Sequence, residues 1–127
     1  QEVIIGSPHY LDPEISKGNR ATIQSDIYSL GITMFELLCG KLPFNGTSAT
    51  AIAAAHIKDP FPNILKYNSK IPASLVAIIE KACQKNLSKR YKNINELKAD
   101  LLLVAMENKN KHKKSSFWSK IFKKGKK

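Results

Sequence analysis

The stretch from Ser25 to Gly40, SDIYSLGITMFELLCG, sets the tightest limit on what this chain can fold into. Ser25 is a good helix N-cap, and Asp26 suits the positive end of a helix. Gly40 can close the helix in the left-handed conformation. Between these ends Ile27, Leu30, Ile32, Met34, Phe35, Leu37 and Leu38 leave almost no polar face. A helix that is apolar nearly all round must be covered on several sides, so it is predicted to be the central helix of its domain.

The rest of the chain offers helices to cover it. Residues 1–24 read as loop and turn, punctuated by Pro8, Pro13 and Gly18. After the turn-rich KLPFNGTS, Ser48 is placed to cap an Ala-rich helix running to about Lys58, which Pro60 and Pro62 stop. Pro72 suits a first helical turn, and Leu75, Ile78, Ile79, Ala82 and Cys83 recur at helical spacing to about Asn86. Asn93 with Glu96 resembles a capping box opening a last helix, whose apolar stripe includes Leu97, Leu101 and Val104. No segment alternates convincingly as a strand. The expected fold class is all-α: one central buried helix and three shorter ones.

With 127 residues and 43% hydrophobic content, the chain suits one modest globular domain. Its net charge of +11 suggests nucleic acid or membrane until its location is considered. Residues 1–107 carry 12 Lys and Arg against 10 Asp and Glu, whereas residues 108–127 carry nine Lys and no acid. The division is therefore a near-neutral body over 1–106 and a basic tail over 107–127. Cys39 and Cys83 show no metal-binding spacing and read as buried thiols. His9, His56 and His112 are scattered and build no ligand cluster, so packing or surface roles are expected and no metal site is predicted.

Read in order, GSPHYLDPE (6–14), SDIYSLG (25–31), GKLPF (40–44) and NLSKRY (86–91) resemble the C-terminal lobe of a eukaryotic-type protein kinase. The resemblance spans residues 4 to about 105 and is nearest in wording to bacterial serine/threonine kinases that carry PASTA repeats. It implies that Gly6, Ser7 and Tyr10 belong to the end of the activation loop, beside the substrate. Gly6 would permit the turn, Ser7 would supply the hydroxyl typical of Ser/Thr specificity, and Tyr10 would pack the loop onto the lobe. It also implies a structural ion pair between Glu14 and Arg90, and a role for Asp26 in holding the catalytic loop through backbone N–H groups. A buried carboxylate of this kind needs a guanidinium to meet it. Asp12 departs from the small residue usual in the family, and is expected to place a charge beside the substrate pocket.

Phosphoryl transfer needs a Gly-rich loop, a strand Lys, a catalytic Asp and Asn, and a DFG Asp for magnesium. This sequence has no GxGxxG, VAIK, HRD or DFG, so no catalytic residue is assigned in it. With Gln1 in place of an initiator Met, the expectation is a fragment lacking the N-lobe and the catalytic and DFG segments. The intact parent would use ATP and Mg2+ to phosphorylate protein substrates; the chain alone is expected to be inactive and to need the missing kinase half as its partner. The alternative is a stand-alone, non-catalytic helical module that binds a kinase or a substrate and reaches the membrane with its tail.

In that tail, KNKHKKSSFWSKIFKKGKK, Ser115 or Ser116 is read as capping a short helix. Phe117 with Ile121 and Trp118 with Phe122 then lie at i, i+4 on one face, surrounded by lysines. Together with the resemblance, which implies a cytoplasmic position at the inner face of a membrane, this predicts contact with an anionic membrane surface. The body supplies no groove or aromatic platform for bases, so nucleic acid is not the expected partner.

Overall fold

The computed structural model describes residues 7–124, with side-chain surroundings through Asn110. Its helices are α1 (Pro13–Ser16), α2 (Ile23–Cys39), α3 (Ala49–Lys58), α4 (Ala73–Ala82) and α5 (Ile94–Lys124). Short 3-10 turns at Pro8–Tyr10 and Ile64–Lys66 complete the set, and no strand occurs among the described residues. The all-α expectation is met.

Boundaries follow local chemistry. α2 begins three residues earlier than Ser25 suggested, because Thr22 and Ser25 cap it reciprocally. The Ser25 N–H donates to Thr22 Oγ1 at 3.3 Å, and the Thr22 N–H donates to Ser25 Oγ at 3.0 Å. Gly40 ends the helix at φ 70°, and its N–H donates to the Glu36 carbonyl at 2.7 Å. Ser48 caps α3 through the Ala51 N–H as expected. At α5, Asn93 Oδ1 accepts from the Glu96 N–H, while the Glu96 carboxylate accepts from the Lys92 N–H.

Two lengths differ from expectation. α4 stops at Ala82, with Cys83 as its C-cap, rather than continuing to Asn86. The carbonyls of Gln84 and Lys85 point instead at the Arg90 guanidinium. α5 is one unbroken helix through Lys124, the longest element rather than a short one, so no new helix is capped at Ser115 or Ser116. The reason lies in composition: no Gly or Pro interrupts residues 94–124, and Gly125 is the first breaker.

α2 lies at the centre of three apolar clusters. Ile27 packs with Ile78 and Ala82 of α4, Leu97 of α5 and Tyr91 from the connection between them. Phe35 packs with Ile64, Ile71, Val76 and Ile79, and Tyr28 and Ile32 pack with Cys83. Contact between α2 and α4 is close enough to demand a glycine. A Cβ on Gly31 would stand 2.5 Å from Cys83 Sγ and 2.9 Å from Ala82 Cβ. Cys83 is buried as expected, whereas Cys39 is only half-buried. One face of α2 stays open: Ile23, Leu30 and Leu37, spaced seven residues apart, are 63%, 37% and 79% exposed.

His56 of α3 is fully buried. Its Nδ1 lies 2.7 Å from the Tyr28 hydroxyl, and its ring packs edge-on against Phe44 with centroids 4.8 Å apart. Nε2 has no hydrogen-bond partner. Burial pushes the imidazole down to about 4, and the ammonium of Lys85, which donates to the His56 carbonyl at 2.6 Å, adds to the effect. The His9 backbone pulls the other way without a well-formed bond to Nε2.

The folded ring thus resists a proton that the unfolded ring accepts near its ordinary 6.5. Stability from this group is complete above pH 6.5 and is lost as pH falls toward about 4. Thermal melts across that window should show His56→Asn losing less stability than the parent chain. Parallel losses would refute a neutral buried histidine.

Candidate functional site

The segment from Ser7 to Glu14 is fastened to the helical body at two points. At the first, the Tyr10 hydroxyl donates to Glu36 Oε1 at 2.6 Å, and the Tyr10 carbonyl accepts from Ser29 Oγ at 2.6 Å. Both partners are on α2, so the loop is drawn down along the central helix. The Glu36 carboxylate raises the Tyr10 phenol above its usual range, keeping it a donor. Ser7 precedes this anchor and is exposed, its Oγ 3.1 Å from His9 Nδ1. Gly6 lies outside the described residues.

The second anchor corrects an expectation. Arg90 is buried and pairs with Asp12, not with Glu14: Nη1 donates to Asp12 Oδ2 at 3.0 Å, and both side chains are fully buried. Asp12 caps α1, its Oδ1 accepting from the Ile15 N–H at 2.9 Å, while its Oδ2 also accepts from Ser25 Oγ at 3.1 Å. Glu14 sits within α1, and its carboxylate turns to Asn19 Nδ2 at 3.0 Å and Lys17 Nζ at 3.6 Å. The cause is helical geometry. The cap position of α1 faces the N-terminus of α2, where Arg90 arrives, and the second helical position faces away. Asp12 therefore places its charge inside the fold rather than beside a substrate pocket.

Arg90 uses four of its five N–H donors. Besides Asp12, Nη1 reaches the Gln24 carbonyl at 3.0 Å, Nε the Gln84 carbonyl at 2.8 Å and Nη2 the Lys85 carbonyl at 3.5 Å. The guanidinium also lies over the Tyr28 ring, 5.1 Å from its centroid. Gln24 ties the same region from the other side, its amide donating to the carbonyls of Leu87 and Tyr91. A desolvated guanidinium supplied with one carboxylate, three carbonyls and an aromatic face is a satisfied buried charge. Three separate segments meet at it: the first loop, the start of α2 and the connection between α4 and α5.

Asp26 is exposed in the first turn of α2, where the helix dipole favours a carboxylate. Phe117, Trp118, Ile121 and Phe122 lie on the backbone of α5, but their side chains fall outside the described residues. Among the described residues no three His, Cys, Asp or Glu side chains form a group able to hold a metal ion. A groove of about 510 Å³ is lined by Phe61, Glu80, Gln84, Lys85 and Lys89 among others, and none of residues 7–14 reaches it. No helix among the described residues is long and apolar enough to cross a membrane.

The sequence pattern does not signal this anchoring role for Asp12, Gln24 or Ser25. One local signal for Asp12 was available: an Asp directly before Pro13 matches an N-cap followed by proline at the first helical position.

A central helix packed among other helices, with an incoming loop fastened to a buried arginine late in the chain, is consistent with a kinase-type helical lobe. The protein kinase domain family matches residues 1–103, and the chain belongs to that family. It is 44% identical over 98 residues to the probable serine/threonine-protein kinase PknB of Lactococcus lactis, covering 77% of this chain and 16% of that protein. Serine/threonine-protein kinase PrkC of Bacillus subtilis is also 44% identical over 98 residues, with 77% and 15% covered. Serine/threonine-protein kinase PknB of Mycobacterium tuberculosis is 38% identical over 102 residues, with 80% and 16% covered. The chain thus spans about a sixth of the length of these relatives.

The geometry separates two acids only two residues apart. Asp12→Ala strands the Arg90 charge and removes the α1 cap, which should cost about 3–5 kcal/mol. Glu14→Ala breaks only surface contacts and should cost less than about 1 kcal/mol. Chemical denaturation of the two variants checks this, and the reverse order would contradict the pairing.

Proposed function

We propose that this chain is the substrate-facing helical part of a serine/threonine protein kinase catalytic domain. The whole enzyme would transfer the γ-phosphate of ATP to Ser or Thr of protein substrates. The observation that carries this reading is the loop 7–14, fastened at Tyr10 and at Asp12 to a lobe that belongs to the kinase family. Ser7, exposed ahead of both anchors, is the hydroxyl offered toward a catalytic loop and substrate, with Gly6 and Tyr10 shaping the same segment.

The catalytic residues, the phosphate-binding loop and the magnesium ligands have no counterpart among these residues, so ATP and Mg2+ would be held by the remainder of the kinase. The open line of Ile23, Leu30 and Leu37 on α2 is the surface we assign to that remainder, and exposed Asp26 beside it is the group that would accept its backbone N–H bonds. Glu14, which does not pair with Arg90, keeps a structural role limited to α1 and Asn19. The tail carries the second part of the reading: Phe117, Trp118, Ile121 and Phe122 among lysines would hold the protein at an anionic membrane surface on the cytoplasmic side.

A chimera tests the catalytic part. The matching 98 residues of Bacillus subtilis PrkC are replaced by this chain's segment, at 44% identity. The hybrid should autophosphorylate, and the isolated chain should neither bind ATP nor transfer phosphate. A folded hybrid without phosphotransfer would sink the proposal.

A further inference from the structure

Leu102, Leu103 and Met106 stand 55%, 59% and 61% exposed on the outer side of α5. The inner side of the same turns buries Leu97 and packs Leu101 and Val104 against Ile27, Ile78 and Tyr91. Leu103 borders a groove it shares with Ser74, Ile78, Lys81 and Tyr91, and Leu102 and Met106 belong to none of the apolar clusters of the described body. The helix then continues without interruption to Lys124. At about 3.6 residues per turn, 18 positions return to the same face after five turns. Position 117 therefore lies in line with 99, and 121 with 103. Ala99, Leu103, Phe117 and Ile121 share one line, with Leu102 and Met106 beside it, whereas positions 118 and 122 fall in line with Asp100 and Val104 and lie off this line.

We propose that α5 acts as a single rod lying in the plane of an anionic bilayer. Contact begins on the folded body at Leu102, Leu103 and Met106 rather than in the tail alone. This rests on the membrane reading of the tail and extends it, because a continuous helix fixes how the body sits on the surface. Charge selects the occupant. Residues 108–127 hold nine Lys and no acid, so a second copy alongside in parallel would bring like charges together. A phosphate-bearing surface is attracted instead. Aliphatic side chains then decide between anionic surfaces. Leu102, Leu103 and Met106 offer no π-face for bases to stack on, whereas an acyl-chain boundary accepts them directly. Glu107, the last acid of the chain, follows Met106 and marks the end of the near-neutral part of the rod.

The test uses the full 127-residue chain with Cys39→Ser, leaving the buried Cys83 in place. An environment-sensitive fluorophore is attached at Met106→Cys or, as a control, at Lys58→Cys, an exposed position at the end of α3. Vesicles are phosphatidylcholine alone or mixed with phosphatidylglycerol. The probe at 106 should shift to the blue only with the anionic vesicles, and the probe at 58 should not shift. Leu102→Glu with Met106→Glu should weaken co-sedimentation about tenfold while leaving the thermal melt unchanged, since both side chains are exposed. Binding with an unshifted probe at 106 and no effect of the two substitutions would overturn the rod while sparing the tail reading. Absence of binding would overturn both. Blue shifts at both probes would reveal indiscriminate insertion and overturn the fixed orientation. Binding to single-stranded RNA without lipid partition would replace the membrane with nucleic acid.

Discussion

Arg90 is the constraint on which the rest of this structure depends. A guanidinium taken fully out of water is costly unless its donors are met, and here four of the five are met, by partners that include segments far apart in sequence. Because the Gln84 and Lys85 carbonyls are drawn to it, α4 stops at Ala82. Because Asp12 answers it, α1 begins where it does and the loop before it cannot drift from α2. Tyr28 lies beneath the guanidinium and passes the arrangement on to His56 and α3 through its hydroxyl. The polar network and the apolar core are thus joined at one residue.

The core around this network is packed without slack where α2 meets α4. Gly31 leaves no room for a methyl group against Cys83 and Ala82, so the two helices approach at a fixed depth. The opposite side of α2 carries the unpartnered Ile23, Leu30 and Leu37. One helix therefore presents a closed face that organises the lobe and an open apolar face. On our reading the second is where the remainder of a kinase domain docks, which makes α2 the element through which loop position and catalytic geometry would be coupled.

Helix identity was legible in the sequence because the apolar period and the caps agree. Ser48, Gly40, Pro72 and the Asn93–Glu96 pair each mark a boundary that the structure keeps. Less was legible about the anchor. Family position pointed to Glu14, and spacing alone cannot say which of two nearby carboxylates turns inward; that is decided by which position of α1 faces α2. The Asp12–Pro13 pair held a partial answer, as a capping signal. The length of α5 is not legible for a different reason: Ser115 and Ser116 resemble a cap, yet a serine interrupts a helix only weakly when no Gly or Pro accompanies it. For His56 the sequence left packing and surface roles open, since its burial depends on Tyr28 and Phe44, which are separated from it by 28 and 12 positions.

Arg90 is held by Asp12 and stands apart from Glu14. Two double-mutant cycles measured by urea unfolding address this pairing directly, using Asp12→Asn with Arg90→Gln and Glu14→Gln with Arg90→Gln. A coupling of about 2–3 kcal/mol is expected in the first cycle and about zero in the second. A strong coupling of Arg90 to Glu14, with Asp12 independent, would contradict the pairing.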